Sequence, residues 1–278
     1  MKTISKLIIL IVVSSILASC SSSESSGAKA PDHSATFIAL GESAYTSEEI
    51  DSSVLHKRAK DEECFLYYAN EQYLVYGISK ADAANSYLLT KSLNLYDFKT
   101  ETIIKSIPFS EPAYVGDAII KGASLYYSRI PIEGIKEGSA SWEIHENCGS
   151  SDAIRAKGIS SFADNYPHFA FLNGKVIFSY EDQNDDHEFT CGCKTIQGDD
   201  SITSLFSYPM NLIEDFRTSF LDNDIFSNGE TAFTFFYLDG KLNYVFFNEK
   251  GIISKALFQD HMYHCGMLKN GLILSQVI

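Results

Sequence analysis

Positive charge is scarce in this chain. Its 278 residues carry 22 Lys and Arg against 36 Asp and Glu, a formal net charge of −14. Such a surface is repelled by nucleic acid and by anionic lipid head groups, so neither is an expected partner. Tryptophan is nearly missing, Trp142 standing alone, which leaves little for a tryptophan-built sugar platform. There is no G-x-S-x-G elbow, no phosphate-binding loop and no Cys-x-x-Cys-His haem attachment. No apolar run reaches the roughly 20 residues that span a bilayer. The longest, Ile8 to Leu17, is interrupted by Ser14 and Ser15. Nor does any long helical pattern follow it; the nearest candidate, from Asn211 to Phe216, is one or two turns.

What the first twenty residues do contain is ordered. Lys2 and Lys6 form a basic start, Ile8 to Leu17 an apolar core, and small residues follow, which is the layout of a secretory signal. The end of that signal, Leu17-Ala18-Ser19-Cys20, resembles the lipobox of bacterial lipoproteins. The resemblance implies cleavage before Cys20 and a diacylglyceryl thioether on its sulfur. Ser21 to Gly27, "SSSESSG", cannot build a core and reads as a flexible tether. Ser21 is not an aspartate, so the inner-membrane retention signal of two-membrane bacteria is absent. The expected division is residues 1–19 as signal peptide, 20–35 as lipidated cysteine and tether, and 36–278 as the folded domain. The expected location is the cell membrane or outer membrane, held by the Cys20 lipid and facing the extracytoplasmic side. Loss of Lys2 and Lys6 takes the mature charge to about −16.

Aromatic residues are plentiful apart from tryptophan, 13% of the chain within an apolar fraction of 45%, enough to bury a substantial core. They fall in short alternating runs around tight turns. Asn70-Glu71, Lys121-Gly122, Asn173-Gly174, Asn228-Gly229 and Asn270-Gly271 each separate two such runs, at intervals of 51, 52, 55 and 42 residues. Asn-Gly is the strongest two-residue hairpin signal, because both residues take positive φ. A second hairpin follows each of the first four: "LYDFKTETIIKSI", "WEIHENCGSSDAIRA", "TIQGDDSITSLF" and "YVFFNEKGIISKALF". Four strands per unit of about fifty residues is the pattern of a β-propeller blade. The expected fold is all-β: a propeller of about five four-stranded blades, its ring closed by N-terminal strands within 36–58 pairing with the C-terminal blade. In this pattern residues 36–278 resemble propeller-type bacterial surface lipoproteins with TolB-like or YWTD-like blades, without a signature motif.

The resemblance to a propeller places the long loops and the unit-to-unit connections around a channel mouth. These segments bring Asp164, Tyr166, His168, Tyr208, Asp215, Asp260, His261 and His264, the candidate ligand-binding mouth. An acidic, aromatic-bearing mouth of this kind suits an interaction module at the cell envelope, with an envelope protein or a glycan as partner. The alternative is a five-bladed glycoside hydrolase using two carboxylates there. Asp61, Asp117, Asp164, Asp215 and Asp260 recur near unit starts and supply acids, although acids are abundant everywhere in the chain. No residue is assigned as catalytic.

One loop raises a cofactor question. In "EDQNDDHEF", Asp182, Asn184 and Asp186 alternate as calcium ligands do, but His187 stands where the glycine belongs and Cys193 where the glutamate belongs. A calcium loop and a solvated acidic loop both remain open; no other cofactor is indicated. "DHMYHC" offers His261, His264 and Cys265, too few neighbours for an expected zinc site. Cys191 and Cys193 lie two apart on an apparent strand, with Cα atoms roughly 6.5 Å apart and parallel Cβ vectors, which is poor disulfide geometry. They read as structural thiols.

Overall fold

Each expected hairpin that falls within the described residues is present. The computed structural model describes residues 61–81, 88–136, 139–161, 165–184, 187–198, 201–210, 224–238, 241–258, 264–268 and 271–275. The expected signal, tether and ring-closing strands at 36–58 lie outside them. The described chain is all-β, eighteen strands and one short 3-10 turn at Ile132–Gly134. Asn70 accepts from the N–H groups of Gln72 and Tyr73 and closes the turn between β1 (Glu62–Ala69) and β2 (Tyr73–Ala81). Asn173 and Gly174, at φ 48° and 73°, form the turn between β9 (Phe169–Leu172) and β10 (Lys175–Gln183). Asn228 does for β13 (Ile225–Ser227) and β14 (Ala232–Leu238) what Asn70 does for the first pair, accepting from Glu230 and Thr231.

The four-strand meander repeats as expected, but the closed ring of separate blades is not what the structure shows. The sheets are one of eight strands, two of four and one of two, and none closes on itself. The largest runs from β1 and β2 through β3 (Leu88–Asp97), β4 (Thr102–Lys121) and β5 (Ser124–Pro131) to β7 (Ser139–Cys148) and β8 (Ser151–Ser160), with the two-residue β6 (Ile135–Lys136) also pairing β7. It fuses what the spacing separated into two blades. The reason is β4, a single strand of 20 residues. Its first half pairs with β3 and its second half, from Ala113, with β5. The joining segment "PFSEPAY" reads as a connection in the sequence. Pro108 and Pro112 instead hold it extended, since proline fixes its own φ and pushes the preceding residue toward the β region.

The second sheet contains β9, β10, β11 (Phe189–Ile196) and β12 (Ile202–Met210) in order, and the third β13, β14, β15 (Lys241–Asn248) and β16 (Gly251–Phe258). β17 (His264–Leu268) and β18 (Gly271–Ser275) pair as a last hairpin. The strand just after each first turn is buried along most of its length, as β2 and β10 show, because both its faces are covered. One core lies between the halves of the first sheet, with Val75, Leu93, Leu95, Val115, Leu125 and Tyr127. A second joins the first and second sheets around Trp142, Ile144, Phe178 and Tyr180. A third joins the second and third sheets through Leu172, Ile177, Cys191, Cys193, Phe206 and Phe247. Cys191 and Cys193 are free and buried, as their spacing led us to expect.

The third core has no slack at Gly192. A Cβ there would run into the carbonyl oxygen of Phe206 on the neighbouring strand, which is backbone and cannot swing aside. Gly192→Ala is expected to destabilise by about 2–3 kcal/mol through overpacking. Urea unfolding followed by circular dichroism measures it, and an unchanged midpoint would show that the strands can part at little cost.

Candidate functional site

The second, third and fourth units each bring a polar side chain, within or just before their first strand, to the same place. Asp117 lies five residues before Gly122, His168 six before Gly174, and Asp224 five before Gly229. The strands that follow these residues touch in series, β4 against β9 and β9 against β13. A parallel bridge between Leu172 and Gly229 sets β9 beside β13. Three successive sheets thus deliver one polar group each to a shared spot.

A bulge aims the first of them. The β4–β5 register slips between Val115 and Ala118, so the Asp117 N–H leaves the ladder and donates to Ser128 Oγ at 2.9 Å. The carboxylate then accepts from two backbone groups: Oδ1 from the Ala118 N–H and Oδ2 from the Phe169 N–H, both at 2.7 Å. His168 precedes β9 and is fixed by its backbone, its N–H donating to Ser179 Oγ and its carbonyl accepting from the Ser179 N–H. Its Nδ1 stands 3.2 Å from Asp224 Oδ1 and 3.9 Å from Asp117 Oδ2. Asp224 is the more open carboxylate, its side chain 38% exposed.

Aromatic rings form one wall. Tyr166 packs on His168 with ring centres 4.6 Å apart, and on Tyr114 at 5.4 Å. Gly116 makes the approach possible, since a Cβ there would fall within the Tyr166 ring. Tyr67 reaches in from β1, its hydroxyl donating to the Val115 carbonyl at 3.3 Å.

Burial sets the electrostatics. It pushes the Asp117 carboxyl up to about 6, against the opposing pull of His168 and the two backbone N–H groups. Burial raises Asp224 as well, and lifts the Tyr166 phenol far above its ordinary value. These are carboxyls in unequal surroundings either side of one imidazole. The arrangement can hold a proton near neutrality and offers a carboxylate beside an aromatic face.

No protein-family model matches the chain, and no curated protein is significantly similar to it. The site is therefore read from its own residues.

Of the candidate mouth, the structure brings Tyr166 and His168 together. Tyr208 is elsewhere: it lies on β12 opposite Cys191, under the Lys255 ammonium at 4.2 Å, as part of the third core. Asp164, Asp215, Asp260 and His261 lie outside the described residues, as does the side chain of His264, whose backbone opens β17. Asp224 and Tyr114 were missed by the sequence reading, and Asp117 was noticed only as one acid among several. The fixed distance from the turn glycine was the signal that would have found Asp117 and Asp224.

The acidic loop has local uses. Asp182 Oδ1 accepts from the Ile159 N–H at 2.9 Å, and Asn184 Oδ1 from the Glu188 N–H at 2.8 Å. Asp186 lies outside the described residues, and among those described no three His, Cys, Asp or Glu side chains are placed to hold a metal ion. A different charged group appears on β7 and β8. His145 lies between Glu143 and Asp152, each carboxylate 3.0 Å from one ring nitrogen, and stacks on Tyr127.

Proposed function

We propose that this chain is a lipid-anchored, extracytoplasmic all-β protein that works as a binding module at the cell envelope. The lipobox residues Leu17 to Cys20 support the location. One observation carries the binding reading: three sheets converge on Asp117, His168 and Asp224 beside the Tyr114 and Tyr166 rings. Perturbed carboxyls gathered with aromatic faces mark a functional site more often than a purely structural one. A sugar ring suits this chemistry, since its C–H face stacks on Tyr166 and its hydroxyls donate to Asp224. A basic segment of an envelope protein is the other partner in keeping with a charge of about −16.

Hydrolysis of a glycan is the second reading, favoured by the unequal surroundings of Asp117 and Asp224. Binding leads because Asp117 already accepts two backbone N–H groups. That leaves Asp224 as the carboxylate open to a ligand.

Thermal unfolding of the full chain in detergent, against oligosaccharides, calcium, and zinc with and without chelator, tests both readings. A ligand at a hundred times its Kd adds about 2.7 kcal/mol to stability. An oligosaccharide is expected to raise the midpoint in the parent chain and not in Asp224→Asn. Released reducing sugar in the same mixtures would move the reading to hydrolase. A shift with calcium alone would put the ligand on the acidic loop instead. An oligosaccharide shift kept in Asp224→Asn would move binding away from this site.

A further inference from the structure

We propose that Asp117, His168 and Asp224 form a proton-operated joint, which tightens the contact among the first three sheets in mild acid and loosens it as the medium turns alkaline. The inference goes beyond ligand binding and does not depend on it.

The three groups belong to three different sheets. Asp117 sits in β4, His168 leads into β9 and Asp224 into β13. Their contacts are direct links between those sheets. The Phe169 N–H donates to Asp117 across the first and second, and His168 meets Asp224 across the second and third. One imidazole carries at most one positive charge, while two carboxylates carry two negative ones. With both acids ionised, at least one negative charge is left uncompensated in a poorly solvated place.

Among the described residues, no other cation acts on Asp117. The groups around it, from β4 itself and the elements packed against it, are His168, Asp224 and the phenols Tyr67 and Tyr166, with Tyr114 beside both phenols. Burial pushes Tyr67 up to about 12 and Tyr166 higher, so the phenols stay neutral throughout the range in question. A protonated Asp117 keeps a carbonyl oxygen for the Phe169 N–H and sheds the charge.

The sign follows from linkage. Asp117 is raised from 3.8 to about 6 in the folded chain, so the folded state binds this proton more tightly than the unfolded state. Its stabilisation is full below pH 4 and is lost as pH rises through about 6. Asp224 is shifted the same way and adds to the effect. The groups titrate as a coupled set, so the transition belongs to the trio.

Amide hydrogen exchange of the full chain in detergent, at pH 5.5 and 7.5, tests the joint, with labelling times scaled for the intrinsic rate at each pH. Peptides covering 113–121 and 166–172 are expected to lose about fourfold in protection at the higher pH, the part of the linkage that a group titrating at about 6 still holds at pH 5.5. Peptides from β2 and β3 are expected to stay constant. Asp117→Asn removes the titrating group and should flatten the response. Asp224→Asn leaves Asp117 buried and titrating, and removes only the smaller repulsion, so it should reduce the response without abolishing it. Equal protection at both pH values in the parent chain would overturn the proposal. So would an undiminished pH response in Asp117→Asn.

Discussion

Trp142→Ala is expected to lower the stability of the folded chain by about 4–8 kcal/mol, a large share of a typical margin of 5–15. Two losses combine. The indole is 1% exposed and fills the core between the first and second sheets, against Ile130, Ile144, Phe178 and Tyr180. Emptying such a site costs about 3–5 kcal/mol. The indole Nε1–H also donates to the Glu181 carbonyl at 2.7 Å, and a buried acceptor left unpaired costs about 1–3 kcal/mol more. Little can collapse into the hole, because Gly158 lies against the ring and has no side chain to offer. Trp142→Phe keeps part of the ring and should lose less than half as much. Since the indole is the chain's only one, the parent's unfolding reads directly in fluorescence, while the variants need circular dichroism. A fall below about 1 kcal/mol for the alanine variant would mean that the two sheets do not depend on this contact.

The strands and turns were legible because the signals are local. A hairpin turn is decided by two residues, and the Asn-Gly pairs at 173–174 and 228–229 lie where strands turn back. The repeat was legible for the same reason. How one repeat passes into the next was not. Whether "PFSEPAY" bends or stays extended depends on pairing partners on both sides of β4, as far away as Thr90, paired with Ala113. A spacing argument places units along a chain, and it does not fix where one sheet ends. That is why the separate blades and the closed ring failed while the four-strand meander held.

The site divides in the same way. Tyr166 and His168 were visible as chemistry-bearing residues in a connection between units. Asp224 was hidden by its neighbours: "DNDIF" reads as one more acidic loop in a chain with 36 acids. Tyr208 lies apart from that pair, because "SYPM" looks like a loop and is the end of a strand. Glu181 shows the limit most clearly. It heads the acidic run "EDQNDDHE" and looks solvated, yet it is 1% exposed. It accepts from the Ser161 N–H and from Asn165 Nδ2, both at 2.6 Å. Those partners come from 20 and 16 residues away, and only the fold brings them to the carboxylate.

Cys20→Ala is expected to change the protein's address completely. Cells fed an alkyne fatty acid should label the parent chain and leave the variant unlabelled. The physical argument is about what else could hold the chain to a bilayer. Two acyl chains anchor stably, at about 0.8 kcal/mol per buried methylene, where one chain binds only reversibly. The charge gives no help, since a chain with a net charge of −14 is repelled by an anionic leaflet. The uncleaved signal gives little either. Ile8 to Leu17 is ten residues, half the length of a spanning helix. Among the described residues no helix is long and apolar enough to cross a membrane. With the lipid gone, alkaline carbonate should therefore extract the variant from membranes that retain the parent chain. Fatty-acid label persisting in Cys20→Ala would move the acylation to another residue and sink the lipobox reading. Label lost with the variant still resistant to carbonate would instead point to a second attachment through the domain itself.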